Sequence, residues 1–316
     1  MNKSLIALAT LVAFAGAASA QSSVTIGGFV ELAAGKPTGT TDKGMIDIGG
    51  SRLNFGAVED LGGGMKAIMG IEHRLSPDTG ASTSGPVFWN GYSWVGLSGG
   101  FGTVRLGRWY TTSFLMVQNQ IDPFRGDTVA GLRNASMNIG PAKVRFSNGL
   151  RYDNSFGGLN FAFDISEKGQ DRNTAAADAT IVNKPWSAAV NYASGPLFFG
   201  LSHENPGGKF DKLTNVGGRY SIGALTLRAA LANGTNNANA KVKGSLIGAT
   251  YDAGAGQFKI GYATNKVGTA AAAAKRFAVG YQYNLSKRTF LFTDFVRDSA
   301  LATNKTGYDF GIRHNF

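Results

Sequence analysis

Hydrophobic and polar positions alternate along most of this chain, and very few windows show the helical spacing of i, i+3, i+4 and i+7. From Gly158 the sequence reads GLNFAFDIS, which puts Leu159, Phe161, Phe163 and Ile165 on one face and Asn160, Ala162, Asp164 and Ser166 on the other. Trp186, Ala188, Val190 and Tyr192 alternate in the same way, as do Phe277, Val279, Tyr281 and Tyr283, and finally Tyr308, Phe310, Ile312, His314 and Phe316. The alternating runs are separated by short glycine-rich turn signals, such as Gly62-Gly63-Gly64, Gly157-Gly158 and Gly254-Ala255-Gly256. Between those turns lie longer polar segments, around Lys36 to Lys43, Ser76 to Pro86, Lys168 to Asn183 and Lys266 to Ala274. The longest interval by far is Thr111 to Ala142.

The spacing predicts 16 strands, beginning near Val24, Met45, Met65, Trp89, Thr103, Lys143, Leu159, Pro185, Leu197, Leu213, Leu225, Val242, Gln257, Lys275, Arg288 and Lys305. The strand near Val242 alternates poorly. Antiparallel strands joined by short turns at one end and long loops at the other leave unpaired edges unless the sheet closes. The apolar parity is rich in Phe, Tyr and Leu, whereas the opposite parity is polar or very small, with Gly, Ser, Asn and scattered Arg and Asp. A soluble sandwich would pack large aliphatic residues face to face. The observed contrast suits lipid outside and water inside, so the expected fold is all-β, a closed transmembrane barrel whose strand number leaves an aqueous channel.

Composition sharpens this picture. Of 316 residues 45 are Gly and 8 Pro, and the glycine excess is expected to relieve crowding where tilted strands curve. Mean hydropathy is −0.07, the average of a lipid-facing and a lumen-facing parity. The one long apolar run is N-terminal: Lys3, then Leu5 to Ala15, then Ala18-Ser19-Ala20, the layout of a cleaved secretory signal over residues 1–20. Residues 21–316 would form the barrel, and removal of Lys3 lowers the formal charge from +11 to +10. With no cysteine there is no disulfide, Cys-zinc or thiol chemistry. His73, His203 and His314 stand in neither a metal-ligand spacing nor a nucleophile elbow, so neither a cofactor nor a metal is expected. The pI near 9.8 comes without a clustered basic helix, which together with export argues against nucleic acid.

Several segments spread over the mature chain resemble one known family: QSSVTIGGFVE from Gln21, SRLNFGAVEDLGGGMKA from Ser51, GLSGGFGTVRLGR from Gly96, GLRYDNSFGGLNFAF from Gly149, YQYNLSKRTFLF from Tyr281 and the terminal GIRHNF. The chain is similar to the trimeric general porins of Gram-negative outer membranes, of the β-proteobacterial type. That resemblance implies a passive diffusion channel for small hydrophilic solutes and ions, a homotrimer, short periplasmic turns, long outer loops and a third loop folded into the barrel as a constriction. It also implies that the terminal Phe316 signals to the outer-membrane assembly machinery. Independently, the interval from Thr111 to Ala142 is the third long connection and too long to be an ordinary loop.

From Arg52 to Arg151 the chain carries ten basic residues against six acidic ones, which suggests a mild anion preference in a narrow opening. Arg52 alternates with Leu53, and Arg145 and Arg151 with Val144 and Leu150, so all three point to the lumen. The family's wall arginines fall on Arg52, Arg108 and Arg145, although Arg108 shares parity with Val104 and Leu106 unless a bulge intervenes. A further arginine of anion-selective relatives is absent, with Gly91 and Tyr92 in its region. The loop offers Asp122, Arg125 and Asp127 within DPFRGD, stiffened by Pro123, with the acids expected to set a transverse field against the wall arginines. Loop lysines such as Lys36, Lys43 and Lys168 are candidates for anionic lipopolysaccharide. A substrate-specific channel, an adhesin and a barrel enzyme share this architecture and remain as alternatives.

Overall fold

The computed structural model describes residues 22–83, 87–167, 181–269 and 274–316. The N-terminal 20 residues read as a signal, and Lys168, lie outside these described residues. The ring consists of β1 Ser23–Lys36, β2 Arg52–Gly62, β3 Met65–Ser76, β4 Tyr92–Gly99, β5 Gly102–Tyr110, β6 Arg145–Phe156, β7 Leu159–Ser166 and β8 Trp186–Ser194. It continues with β9 Leu197–Asn205, β10 Lys212–Ile222, β11 Leu225–Thr235, β12 Lys241–Ala253, β13 Gly256–Val267, β14 Ala274–Asn284, β15 Thr289–Asp298 and β16 Thr306–Asn315. Each strand pairs antiparallel with its sequence neighbours. The barrel closes because β1 pairs both with β2, from Ser23↔Val58 to Phe29↔Arg52, and with β16, from Phe29↔Asn315 to Lys36↔Tyr308. Each of the sixteen ring strands is thus paired on both sides.

The strand expected near Met45 is interrupted. A short piece, Gly44–Ile46, continues the second strand's pairing with β1. The Asp47 carboxylate then accepts the Gly50 and Ser51 amides at 2.7 and 2.6 Å and turns the chain out of the ladder before β2 starts at Arg52. A second fragment, Ala81–Ser82, pairs only with the end of β3.

Parity divides the wall as alternation requires. Phe161, Phe199, Tyr220, Tyr251, Phe258 and Phe310 are exposed on the outside, while their neighbours Ala162, Asp164, Gly200 and Asp309 face inward. The connection from Tyr110 to Arg145, here loop 3, does not stay at the rim. It enters the barrel and lies along the inner wall from β7 to β16. Its first turn is fastened by the Thr112 amide to Asp164 (2.7 Å), by Ser113 to Ser202 (2.8 Å) and by Gln118 to Glu204 (3.0 Å). Further on, the Val129 amide reaches Asp309 at 2.9 Å. Ile121, Leu132 and Met137 of the loop are fully buried against inward Phe198, Leu246 and Val296, and burial of each such side chain contributes about 1.5–3 kcal/mol.

This docking explains two features of the sequence. The poor alternation near Val242 arises because Val242 and Leu246 are apolar residues pointing inward, covered by the loop. Glycines on the inner wall give the loop room. A Cβ at Gly248 would stand 2.5 Å from the Pro123 ring and one at Gly261 2.5 Å from Leu132, and one at Gly244 would overlap the Ser136 carbonyl. Loop clearance, as well as curvature, accounts for the glycine-rich lumen parity.

Candidate functional site: the lumen constriction

Three arginines gather round Glu72 and Tyr110, beside the two ends of loop 3. Arg52 on β2 and Arg74 on β3 are cross-strand partners, and Glu72, two residues from Arg74 on the same face, lies between them. Its carboxylate is 3.2 Å from Arg74 and 3.9 Å from Arg52, and it accepts the Tyr110 hydroxyl at 2.8 Å. Arg145 donates to that same hydroxyl at 2.8 Å and lies 4.3 Å over the Tyr110 ring, and Arg74 also donates to Tyr110. Arg52 is oriented by the carbonyls of Gly49 (2.6 Å) and Gly50 (3.0 Å) and stacks 4.4 Å over Phe29. Gly50 has φ +70°, a conformation that costs glycine little, and a side chain there would strike Arg74. Arg313 on β16 also lies over the Phe29 ring, at 4.1 Å, and binds Glu31 at 2.6 Å.

On the loop side, the Asp127 carboxylate accepts a bond from Arg313 at 3.3 Å and lies within electrostatic reach of Arg52. Asp122 is placed differently from the expectation that it faces the opening. It is 2% exposed, and its oxygens accept the backbone amides of Phe124 (2.9 Å), Leu132 (2.7 Å) and Arg133 (2.7 Å). The carboxylate is used to close the loop on itself, and burial pushes its pKa above the usual carboxylate range despite those donors. Arg125 is exposed at the loop tip with φ +56°.

Arg108 lies at an irregularity. The β5–β6 register slips between Gly107 and Trp109, with Gly107 at φ +133° and Asn148 at φ +54°. Its guanidinium binds the Asn90 carbonyl at 3.2 Å and the Ser147 hydroxyl at 2.5 Å, within electrostatic reach of Arg145. Arg151 is buried, binding the Tyr110 carbonyl at 2.7 Å and sharing Asp153 with Arg105. It braces the root of loop 3 and does not join the group around Glu72. The Phe316 side chain is partly exposed, and its amide donates to the Gly28 carbonyl at 3.1 Å, beside the strand that closes the ring.

Sequence reasoning left out Glu72, Arg74 and Tyr110 from this group, and four cations of the second half: Arg219, Arg228, Lys259 and Arg313. Each of those four sits on the inward parity of its strand, for instance Arg228 between outward Leu227 and Ala229. With Arg125 they line a cavity of about 370 Å³ beside the loop tip.

Similar proteins share both chain and architecture. The outer membrane porin protein 32 of Delftia acidovorans is 32% identical over 367 aligned positions, covering 100% of each chain. An outer membrane porin of Bordetella pertussis is 27% identical with the same coverage. Among solved structures, an anion-selective porin from Comamonas acidovorans superposes with a TM-score of 0.75 at 27% identity, over 94% of this chain and 100% of that one. An outer membrane protein of Vibrio cholerae, solved in a trimer form, shares the fold with a TM-score of 0.68 at 13% identity. The family model described as Gram-negative porin matches residues 7–302, so a closed sixteen-stranded wall, an inward third loop and an arginine-lined opening occur here in a chain that belongs to the Gram-negative porins.

Proposed function

We propose that the lumen prefers anions, and that Arg52, Arg74 and Arg145 set this preference. As a porin the chain is a passive channel across the outer membrane for small hydrophilic solutes and ions. The observation that carries the selectivity is the ratio at the opening, where Arg52 and Arg74 share the carboxylate of Glu72 and Arg145 joins them through the Tyr110 hydroxyl, which Glu72 also binds. Fixed charges in a narrow, partly desolvated passage raise the local concentration of counter-ions. The anion-selective character of the Comamonas porin supports the same sign. Of the loop acids, Asp127 contributes the opposing charge and Arg313 offsets part of it. Arg108 adds to the wall's positive field, whereas Arg151 and Asp122 act by holding loop 3.

The zero-current potential across a KCl gradient tests this reading. The native protein should show the anion sign, and the pair Arg52→Ala with Arg145→Ala should move it toward zero. A cation sign in the native protein, or an unchanged potential in the double variant, refutes it. The reading includes no enzymatic turnover, so a phospholipase signal without conductance would reverse it.

The same reading takes the working unit to be a homotrimer, residues 1–20 to be removed after Ala20, and Phe316 to act in outer-membrane assembly. Conductance in steps of three and a mature N-terminus at Gln21 are the corresponding measurements. For lipopolysaccharide contact, Lys36 is poorly suited, because its ammonium is held by the Thr306 carbonyl at 2.6 Å in a buried position. The better candidates are outward cations at the long-loop end: Lys212, Lys241, Lys243, Lys266, Lys275 and Arg297, all exposed. Lys243 and Lys266 stand directly opposite each other, an arrangement that bound phosphate would relieve.

A further inference from the structure

Three pairs of arginines stand directly across from one another on neighbouring strands with their side chains inside the barrel: Arg52 with Arg74, Arg105 with Arg151, and Arg219 with Arg228. Like charges directly opposite on antiparallel strands destabilise the pairing. In the first two pairs the chain supplies the compensating anion. Glu72 lies 3.2 and 3.9 Å from the first pair, and Asp153 bonds both arginines of the second. For the third, among the described residues, the chain brings no carboxylate within ion-pair distance of Arg219 or Arg228.

Neutral groups orient this third pair instead. Arg219 donates to the Gln120 carbonyl at 2.9 Å and lies 4.6 Å over the Phe198 ring, and Arg228 donates to the Thr250 hydroxyl at 2.8 Å. The charge of Arg125, at the loop tip, acts on both. Lys259, held by Gln282 at 3.0 Å, lines the same cavity. The cavity's acids are already engaged: Glu31 and Asp127 by Arg313, and Asp122 by three loop amides. Asp252 influences Arg228 only from a distance, since its carboxylate is bound by Gln257.

We propose that Arg219, Arg228 and Arg125, with Lys259, form a binding subsite for the phosphate group of a small phosphorylated solute, next to the constriction on its short-turn side. An anion from solution would there perform the role that Glu72 and Asp153 perform at the other two pairs. A phosphate group fits better than a dicarboxylate. It carries about two negative charges on one centre near neutral pH, guanidinium forks match its oxygens bidentately, and cross-strand partners with Cα atoms about 5 Å apart converge on a single point. The cavity of about 370 Å³ leaves space for the organic part of the solute. The proposal rests on the anion preference argued above and adds a location and a ligand class to it.

The test is single-channel recording of the mature protein in KCl at pH 7.5, with sodium phosphate or sodium succinate added at equal ionic strength. Phosphate is expected to interrupt the current where succinate does not. The half-blocking phosphate concentration should rise at least tenfold in Arg219→Gln combined with Arg228→Gln. It should rise at least threefold in Arg125→Ala, a change at an exposed loop tip that leaves the wall intact. If the native channel keeps an anion-sign zero-current potential but phosphate does not block it, the subsite is wrong and the selectivity reading stands. Equal block by succinate, or block unchanged in both variants, also overturns the subsite, while a cation-sign potential overturns the reading beneath it.

Discussion

Replacing Asp122 by Ala should release the turn of loop 3 while leaving the barrel closed. The Asp122 carboxylate accepts three backbone amides at 2.7–2.9 Å in a buried position. Hydrogen bonds to a charged group contribute about 1.5–3 kcal/mol each, and a buried donor left without a partner costs about 1–3 kcal/mol. These contributions do not simply add, and lumen water can reach part of a released turn, so a local loss of about 3–5 kcal/mol is expected. The lower figure corresponds to roughly a hundredfold shift in the local opening equilibrium. Hydrogen–deuterium exchange should show it as a loss of protection of about that size over residues 122–137. Amides in the strand ladders should change little, because the apolar anchors Ile121, Leu132 and Met137 and the wall bonds to Asp164 and Glu204 remain. Single-channel traces should show added current noise. The Asp122→Asn variant keeps an acceptor oxygen but loses the charge, and should fall between. Unchanged protection across 122–137 in Asp122→Ala would refute the assignment of this carboxylate as the closure of the loop.

Other expectations follow from the same contacts. Glu72→Gln removes the acid that pairs with Arg52 and Arg74, and should strengthen the anion sign of the zero-current potential while costing about 3 kcal/mol, the low end for breaking a buried ion pair; thermal denaturation and the KCl-gradient potential check both. Gly244→Leu places a side chain against the Ser136 carbonyl and should displace the returning limb of loop 3, seen as altered conductance, whereas Gly254→Ala, in a turn with φ +60° and open space, should cost only about 1 kcal/mol and leave conductance as it is. Lys243→Gln combined with Lys266→Gln should lower the lipopolysaccharide phosphate that copurifies with the protein, and an unchanged amount refutes the outer cationic belt.

Most of the barrel was legible in the sequence because most strands obey a period of two, with apolar residues on the outer face and polar or small ones on the inner. Starts at Met65, Leu159, Leu197 and Leu225 coincide with the observed strands. At Met45 the strand breaks for a reason outside any period, since the side chain of Asp47 takes two amides that the ladder would have used. The site was only partly legible. Parity aims Arg52 and Arg145 inward, as the structure places them, and the same rule carried past residue 151 reaches Arg219, Arg228, Lys259 and Arg313. Within loop 3 no period exists, so nothing separates Asp122, which binds amides, from Asp127, which binds Arg313.

What looked like noise in the pattern was itself a signal. A lumen position that touches only water is best polar, so an inward Val242 or Leu246, or an inward glycine such as Gly261, implies a covering surface. These exceptions fall on neighbouring strands β12 and β13, and they face Leu132, Ser136 and Ile139 of the loop. Inward aliphatic and glycine positions along consecutive strands therefore mark where a loop is packed. The inward arginines of β2, β3 and β6 lie on wall that no such covering residues mark, and this is where the proposed passage for ions runs.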